Sequence, residues 1–364
     1  MGKGLICGEE AVTMPDSLGV CLKCIRGKMR SSKCEADVNM LKDEILYLSK
    51  ADIERLDISM EEIISVVEQA FREKAKGEVE VPPKPGIHPQ KDAFIHAMPA
   101  YLPNMKAAGV KWVSGFPKNP ERGLPYISGL LVLNDVETGF PLCVMDCTWI
   151  TAKRTGAATA VAAKYLAKED SKTFGVLGCG VQGRSNLEAL LVVCKELEEV
   201  RAYDVSAENL QKYVEEMTAK HELRIVPVDS PRKAVENCDV VVTAGPILRQ
   251  LSPVIEAPWF KHGGFACPLD FDSYWKPKAM RSMDKFCTDD REQLKYYRQQ
   301  GYFQDIPRVY AELSEVVSGE KFGRENPEER IMAMHLGLAI EDMATAVLVY
   351  KKAKEKNVGI KLPL

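Results

Sequence analysis

The segment Gly178-Cys-Gly180-Val-Gln-Gly183 constrains the fold of this chain more strongly than any other part of its sequence. It follows an apolar run, Phe174-Gly-Val-Leu177, and it opens a stretch with helical periodicity. In that context the first glycine permits a tight turn, the second lets a pyrophosphate approach closely, and the third lets the helix pack against the strand. Free N–H groups at the start of the helix favour a phosphate. We therefore predict a dinucleotide-binding loop that includes Val181 and Gln182; a turn without a ligand is the alternative.

Predicted strands and helices alternate on both sides of this loop. Short apolar runs at 173–177, 200–203, 224–228 and 240–243 alternate with helical patterns at 186–196 and 207–219. Such alternation predicts a parallel sheet with helices on both of its faces. We therefore place a Rossmann domain at residues 151–324.

Asp204 ends the strand that follows the glycine loop and its helix. An acidic side chain there accepts the hydroxyls of an adenosine ribose and repels a 2′-phosphate, so we predict NAD as the cofactor rather than NADP. The alternative for Asp204 is a helix cap near Ser206. Thr243 ends the fourth strand of the unit, where a Rossmann sheet meets its ligand, although a threonine there fits a structural role equally well.

A second domain is expected because 364 residues exceed what one hydrophobic core usually serves. We assign it to residues 41–150 together with 325–364. Its apolar runs between 81 and 145 are short and broken by Pro, Gly and Asn, which predicts β structure. Ser59 and Glu62 form a capping-box pattern before a helix that Gly77 ends, and a last helix is predicted at about 328–354. The expected fold class is α/β, with a Rossmann domain and a β-rich α+β domain.

Charge and hydropathy exclude several classes of partner. The net charge of −3 and the isoelectric point near 6.1 provide no basic field for a nucleic acid or an anionic membrane surface. No apolar run reaches the roughly 18 to 20 residues that a membrane span needs, and no signal peptide is recognisable. We expect a cytoplasmic protein without nucleic-acid or membrane partners.

The cysteines carry two interpretations. Eleven of them, an odd number, lie largely in apolar segments, which indicates buried reduced thiols rather than a disulfide framework. Residues 1–40 form a predicted extension in which Cys21 and Cys24 have the spacing of half a metal site. Two further thiols, Cys7 and Cys34, would complete it, but the outer spacings match no common module. A tail with free thiols is therefore the alternative.

Three further runs resemble the ornithine cyclodeaminase and μ-crystallin family, and the resemblance extends from about Leu56 to Tyr350. The family includes cyclodeaminases, alanine dehydrogenases, ketimine and pyrroline-carboxylate reductases and a hormone-binding lens protein. It implies a homodimer formed through the β-rich domain. The runs are Lys111-Trp-Val-Ser-Gly-Phe-Pro-Lys-Asn, Leu133-Asn-Asp-Val-Glu-Thr-Gly-Phe-Pro-Leu and Val144-Met-Asp-Cys-Thr-Trp-Ile-Thr-Ala-Lys-Arg154-Thr-Gly-Ala, with a later Leu336-Gly-Leu-Ala-Ile-Glu-Asp342.

The resemblance implies basic side chains around a substrate carboxylate, at Lys111, Arg154 and Lys84. Arg154 offers a planar two-pronged donor, whereas Lys111 is a point charge that can also lose its proton, so it is a candidate for acid–base work. The alternatives are a salt bridge for Arg154 and exposed lysines for the other two.

The resemblance also implies an acid–base aspartate after the fifth strand of the Rossmann sheet. An ungapped count places it at Asp272, and the neighbouring Asp270 is the alternative, since one of the two can serve as a helix cap. Ornithine-specific members have a glutamate where this chain has His96, before Ala97-Met98-Pro99. A neutral histidine supplies no fixed charge for a side-chain ammonium, which disfavours ornithine; a purely structural histidine is the other interpretation.

These residues predict NAD-dependent hydride transfer at the α-carbon of a small L-amino acid or its imine. The enzyme would be an amino-acid dehydrogenase or an imine reductase. Ornithine cyclodeaminase is the alternative. A protein that retains NAD and binds a small ligand without turnover is a further one, and so is a metal or redox switch at the cysteine-containing tail.

Overall fold

The structure is a computed structural model that describes residues 44–364. The predicted extension, with Cys7, Cys21, Cys24 and Cys34, lies outside the described residues, so both interpretations of these cysteines stay predictions. The cysteines of the described region are buried and free, as expected for reduced thiols.

Strands and helices alternate along most of the chain. The strands are β1 (Glu44–Leu48), β2 (Gly86–Ile87), β3 (Phe94–Leu102), β4 (Ala107–Gly115), β5 (Ile127–Asn134), β6 (Pro141–Asp146), β7 (Thr173–Leu177), β8 (Glu199–Tyr203), β9 (Arg224–Pro227), β10 (Val240–Thr243), β11 (Phe265–Pro268), β12 (Lys285–Thr288), β13 (Ala311–Glu312), β14 (Ile331–Met334) and β15 (Ile360–Pro363). The α-helices are α1 (Lys50–Glu54), α2 (Met60–Ala75), α3 (Thr148–Leu166), α4 (Val181–Val193), α5 (Ala207–Lys220), α6 (Pro231–Val235), α7 (Pro277–Arg281), α8 (Arg291–Gln299), α9 (Leu313–Ser318) and α10 (Ala339–Lys356).

One sheet has seven strands in the order β15-β1-β6-β5-β4-β3-β2. Strands β2 to β6 pair antiparallel with their neighbours in this sheet, while β1 pairs parallel to β6. Side chains alternate between the two faces of each strand, so Phe94, His96 and Met98 share one face of β3. In register, Met98 lies opposite Lys111 and His96 lies opposite Val113. This register places the predicted histidine and lysine on the same face of the sheet.

The second sheet has eight strands in the order β13-β12-β14-β11-β10-β7-β8-β9. Every pairing within it is parallel. The order reverses beside β7, where β8 lies on one side and β10 on the other. Ligands of such sheets bind at this reversal, beyond the carboxyl ends of the strands. The Rossmann prediction and the α/β fold class are confirmed.

Helix α3 packs closely against α4, the helix that follows the glycine loop. A Cβ atom on Gly156 would collide with the backbone of Ser185, so a glycine is needed for this approach. The Ser185 hydroxyl donates to the carbonyl of Ala152 at 2.7 Å, and the Gln182 amide donates to the carbonyl of Thr151 at 3.3 Å. Helix α3 is therefore attached to the first turns of α4.

The predicted helix at 328–354 is only partly correct. Its first part is strand β14, and the helix begins only at Ala339. Between them the chain turns at Gly337, which has a φ of 79°. A short apolar run such as Ile331-Met-Ala-Met334 does not distinguish a buried strand from a helix by periodicity alone. The capping box of Ser59 and Glu62 is confirmed at the start of α2.

Both sheets belong to one compact unit, Glu44–Leu364. The predicted domain boundaries at residues 150 and 325 stay predictions, although β14 lies in the eight-stranded sheet and so extends that sheet beyond residue 325. Among the helices of residues 44–364, none combines the length and the apolar content that a membrane-spanning helix requires.

Candidate active site

The glycine loop connects β7 to α4, and its three glycines differ in the space that surrounds them. Gly178 has a φ of 102°, and a Cβ atom there would lie 2.6 Å from the carbonyl oxygen of Ala244. A Cβ atom on Gly183 would collide with the carbonyl of Gly178, whereas one on Gly180 would meet no atom within 4 Å. Two of the glycines are therefore needed by the protein itself, and the third borders open space.

Gly180 caps α4 without a side chain, so the first N–H groups of the helix have no capping oxygen from that residue. Such groups, together with the helix dipole, favour an anion. Open space beside Gly180 is what a pyrophosphate at this position requires. The loop therefore fits a dinucleotide, with Gly180, Val181 and Gln182 lining a cavity of about 1270 Å³.

Asp204 lies at the end of β8 and stabilises the glycine loop. Its carboxylate accepts the N–H of Cys179 at 2.7 Å and the N–H of Ser206 at 2.8 Å. The cap of α5 is Ser206, which accepts the N–H of Asn209 at 3.2 Å, so the helix-cap alternative for Asp204 does not hold. Asp204 also lines the cavity next to Val205, which is 90% exposed. Its position suits contact with a ribose, and that role stays a prediction.

Thr243 is not among the residues that line the cavity, and its predicted contact with the cofactor stays a prediction. It is fully buried, and its hydroxyl donates to Asp270 at 2.8 Å. The residues after it, Ala244 and Gly245, line the cavity instead. The direction of a side chain at a strand end depends on the register of the strand, and the sequence alone left it open.

Three basic side chains meet at the other end of the cavity, and all three are buried. Lys111 on β4 donates to Asp342 at 2.7 Å. Arg154 on α3 donates to Glu341 at 2.6 Å, and its Nε lies 3.1 Å from the same Asp342. The third, Lys84, lies in the loop before β2. The structure thus brings together the cations that the sequence predicted.

Lys84 differs from the other two because it has no direct carboxylate partner among residues 44–364. Its Nζ donates to the carbonyl of Leu336 and, at 3.1 Å, to that of Gly337. Gly337 is also needed for space, since a Cβ atom there would lie 2.7 Å from the guanidinium of Arg154. The turn at 336–337 therefore supports two of the cations.

Burial and neighbouring charges shift the pKa values of the three basic groups in different directions. It lowers the pKa of Lys84 to about 7, and the positive charge of Arg154 contributes to the shift. Burial and Arg154 also lower the pKa of Lys111, although Asp342 opposes them. Burial alone would lower the pKa of Arg154, but Asp342 and Glu341 hold it above its ordinary value. Arg154 is thus a fixed charge, whereas Lys84 can exchange protons near neutral pH and Lys111 is a stronger acid than a free lysine.

The wall beside the cations is apolar and aromatic. His96 stacks on Phe94 with ring centroids 4.3 Å apart, and both line the cavity with Met98. Burial, followed by the charge of Lys84, lowers the pKa of His96 to about 3. His96 is therefore neutral at physiological pH and supplies no ion-pair partner for a substrate ammonium.

Asp272, the predicted acid–base residue, does not line the cavity. Its Oδ2 accepts the N–H of Phe303 at 2.8 Å, and its Oδ1 is buried without a partner among the described residues. Phe271, with a φ of 59°, lines the cavity in its place. The alternative, Asp270, is fully buried and accepts from Thr243 and from the N–H of Gly245. The catalytic role predicted for Asp272, with Asp270 as the alternative, stays a prediction that the buried positions of the two side chains do not favour.

Several residues of the site were missed by the sequence reasoning. Glu341 and Asp342 are buried in the first turn of α10, where they pair with the predicted cations. The sequence does contain a signal for these two residues, namely adjacent acidic residues inside an apolar segment. Buried carboxylates require cationic partners, so such a pair indicates an ion-pair site. His335 also lines the cavity, and its Nε2 is buried without a partner among residues 44–364.

Comparisons with known proteins agree with this geometry. The sequence profile of the ornithine cyclodeaminase/mu-crystallin family matches residues 44–357. An alanine dehydrogenase of Archaeoglobus fulgidus is 40% identical over 328 residues, which cover 88% of this chain and 98% of the relative.

Two similar proteins have solved structures with a bound cofactor. The Δ¹-pyrroline-2-carboxylate reductase of Thermococcus litoralis, in complex with NADH and L-proline, is 38% identical with a TM-score of 0.80, over 87% of this chain and 99% of the relative. An archaeal alanine dehydrogenase dimer with bound NAD is 38% identical with a TM-score of 0.78, over 88% of this chain and 99% of the relative. The prediction of NAD as the cofactor is confirmed, and the chain belongs to the ornithine cyclodeaminase/mu-crystallin family.

Proposed function

We propose that this chain is an NAD(H)-dependent enzyme that reduces the imine of a small α-keto acid with an apolar side chain, with Δ¹-pyrroline-2-carboxylate as the substrate. The same site would run the reverse hydride transfer from the corresponding L-amino acid. One observation carries the proposal: buried cations and a neutral, stacked His96 share one end of a cavity whose other end is the glycine loop.

The cations match a substrate with a single carboxylate. When both lysines are protonated, Lys84, Lys111 and Arg154 carry three positive charges, and the carboxylates in direct contact with them are Glu341 and Asp342. One positive charge therefore remains for a bound anion. Arg154 is the anchor, because its planar guanidinium suits a carboxylate and it does not titrate near neutral pH. Lys84 adds a second charge as long as it is protonated.

Lys111 is the proton donor in this proposal. Reduction of an imine forms a C–H bond at the α-carbon and an N–H bond at the nitrogen. NADH, when bound, supplies the hydride for the first bond. The lowered pKa of Lys111 makes it a stronger acid than a free lysine, and Asp342 fixes its position. A proton that passes from Nζ to the imine nitrogen completes the amine.

The wall of the cavity disfavours ornithine as the substrate. A cyclodeaminase that recognises ornithine must accommodate a second ammonium group, whereas His96 is neutral and Glu341 and Asp342 are already paired. Burial of an unpaired ammonium costs several kcal/mol in free energy, on the order of the whole affinity of a weak substrate. Phe94, His96 and Met98 instead suit an apolar ring or methyl group.

Oxidation of an amino acid to an oxo acid needs one step more than imine reduction, namely attack of water on the imine. A general base near the cations would promote that step. Asp272 is buried and accepts the N–H of Phe303, and Glu341 and Asp342 are engaged with cations, so none of these three carboxylates is placed to activate water. The reductase direction is therefore favoured over the alanine dehydrogenase reaction, although the 40% identity to such an enzyme keeps alanine as the second candidate.

The test compares four reactions of the full-length protein. NADH oxidation is followed with Δ¹-pyrroline-2-carboxylate and with pyruvate plus ammonia, and NAD reduction is followed with L-alanine. L-Ornithine with NAD is analysed for proline and ammonia. We expect rapid oxidation of NADH by the cyclic imine and slower turnover of pyruvate. Stoichiometric proline and ammonia without net NADH would establish the cyclodeaminase, and no turnover in any reaction would favour a binding protein.

A homodimer is also part of the proposal. The face of the seven-stranded sheet that points away from α10 carries Trp112 (50% exposed) and Leu130 (46% exposed), which lie opposite each other in register. Their neighbours on the same face include Val110 and Val132. An exposed apolar face of this kind on a soluble enzyme marks an interface, and the similar archaeal alanine dehydrogenase is a dimer.

Light scattering on the eluted protein tests the dimer. We expect the mass of two chains for the native protein and of one chain for Trp112→Asp, with Lys106→Asp as a surface control because Lys106 is exposed and forms only a weak pair with Glu137. A native protein that elutes as a monomer would contradict the dimer.

A further inference from the structure

One peptide group lies between a buried ammonium and a buried carboxylate. The carbonyl of Leu336 accepts from Lys84 Nζ, on the side of the cavity. On the opposite side, the N–H groups of Leu336 and Gly337 both donate to Oδ2 of Asp289, at 2.8 Å and 2.7 Å. Lys84, the peptide between residues 336 and 337, and Asp289 therefore form a continuous hydrogen-bonded chain.

Such a chain is polarised by its two ends. A cation at the carbonyl oxygen and an anion at the N–H shift the electrons of the peptide in the same direction, so each hydrogen bond strengthens the other. Because the site is buried, a carboxylate one peptide away from an ammonium also stabilises its charge directly. Asp289 is fully buried and does not line the cavity, so it cannot touch a ligand there. Any effect of Asp289 on the reaction must pass through Lys84 and the turn.

The other charged groups around Lys84 either form an ion pair with another residue or lower the pKa of Lys84. Arg154 and Lys111 disfavour the ammonium, and Glu341, which favours it, is the hydrogen-bond partner of Arg154. Asp289 favours the ammonium and has no cation in direct contact within residues 44–364. Burial, followed by the charge of Glu341, raises the pKa of Asp289 itself to about 7, and Lys84 opposes that rise, so each of the two groups stabilises the charged form of the other. The groups that face Lys84 or Asp289 from neighbouring elements are His96, Lys111, Arg154, Asp290, Tyr297 and Glu341.

We propose that Asp289 is a positioning residue for the reaction: through the peptide between Leu336 and Gly337 it holds Lys84 as a cation aimed at the substrate carboxylate. The inference rests on the proposed function, since Lys84 belongs to the same carboxylate site. It assigns Asp289 a role beyond the fold, because a carboxylate that merely stabilised the turn would not change the protonation of Lys84.

The direct test follows Lys84 itself. Protein labelled with ¹³C at the lysine Cε carbons is titrated by NMR, and the Lys84 signal is assigned by its loss in Lys84→Arg. In Asp289→Asn, which keeps a hydrogen-bond acceptor but no charge, we expect the midpoint of this titration to fall by about one pH unit, a tenfold change in the proton equilibrium. An unchanged midpoint would overturn the proposal.

The kinetic consequence is a pH-dependent change in KM. At pH values just above the native midpoint, Asp289→Asn should raise KM for Δ¹-pyrroline-2-carboxylate by up to about tenfold, because less of Lys84 is charged. At acidic pH, where Lys84 is protonated in both proteins, the two KM values should nearly coincide, with kcat little changed. An equal rise in KM at every pH would indicate a structural role alone.

Two variants keep the test decisive. Asp290→Asn removes the neighbouring carboxylate, which pairs with Lys74 at 3.0 Å and caps α8, so it should lower the melting temperature without moving the Lys84 midpoint. Asp289→Glu retains the charge and should leave the midpoint near its native value if Asp289→Asn folds poorly. If the midpoint moves but the cyclic imine is not reduced, the proposed function fails while the role of Asp289 stands.

Discussion

The two ends of the cavity are built in opposite ways. The nucleotide end comes from one short run, residues 178–183, and from Asp204 at the end of the adjacent strand, and its shape is set by backbone geometry. The cationic end brings together side chains from β4, α3, α10 and the loop before β2, which are far apart in sequence. The first end offers N–H groups and open space to a ligand, whereas the second offers buried charge. A change at one end should therefore affect one step of the reaction and leave the other nearly intact.

The largest expected effect is the loss of the proton donor. Lys111→Met should lower kcat by about a thousandfold, within the range for removal of a general acid, and should leave the Kd for NADH unchanged. Stopped-flow measurement of NADH oxidation and fluorescence titration of NADH give the two quantities. Lys111→Arg is the matched control, since it keeps the charge beside Asp342 but cannot donate a proton near neutral pH. Equal activity of the arginine variant and the native enzyme would remove Lys111 from the chemistry.

The nucleotide end is tested by Gly180→Ala. Because a Cβ atom at this position meets no protein atom within 4 Å, the variant should fold with a native melting temperature. The methyl group would nevertheless obstruct the approach of the pyrophosphate, and we expect the Kd for NADH to rise by about ten- to a hundredfold, or roughly 1.4 to 2.7 kcal/mol. Gly183→Ala is the contrasting variant, because its Cβ would collide with Gly178 and the stability itself should fall. A native Kd in Gly180→Ala would place the pyrophosphate elsewhere.

The pH dependence of the native enzyme should report Lys84. Its pKa of about 7 lies far below that of a free lysine, so the cation is present below pH 7 and is lost as the pH rises through that value. Above it, kcat/KM for a carboxylate substrate should fall by up to about tenfold per pH unit until Arg154 alone holds the anion. Lys84→Arg should abolish this alkaline limb. Persistence of the limb in that variant would assign it to another group, with Lys111 the first to examine.

The smallest expected effect is at the wall of the cavity. His96→Gln replaces one neutral group with another, so kcat/KM for the cyclic imine should change by only about threefold, through loss of the stacking on Phe94. His96→Glu introduces a charge near Lys84 and should raise KM for the imine more strongly, because the new carboxylate competes with that of the substrate. Comparable kinetics of the two variants would show that His96 does not face the substrate.

The contrast between the two ends also explains what could be predicted from the sequence. The glycine loop, Asp204 and the capping box of Ser59 and Glu62 are local patterns whose physical meaning is contained in a few consecutive residues. Lys111, Arg154 and Lys84 were placed by the family resemblance, and the structure brings them together. Their assembly depends on contacts across hundreds of residues, which no local pattern contains.

Other positions depend on contacts that only the folded chain shows. The side chains of Thr243 and Asp272 bond to Asp270 and to the N–H of Phe303, as strand register and the left-handed turn at Phe271 decide. Asp289 carries no local signal at all, since its significance depends on a turn 47 residues later in the chain. Strand β14 was predicted as part of a helix, because the periodicity of a short apolar run does not distinguish a buried strand from a buried helix.

Helix α3 sets the distance between the two ends of the cavity. Thr151 contacts Gln182 of the glycine loop, and Arg154 follows less than one helical turn later, so one rigid element sets the distance from cofactor to carboxylate anchor. In the proposed function the side chain of the substrate lies against β3, and this strand does not set that distance. Diversification of such an enzyme can therefore proceed by exchange of residues on one strand while the reacting atoms keep their spacing. A single scaffold can in this way serve a range of amino and imino acids without redesign of its chemistry.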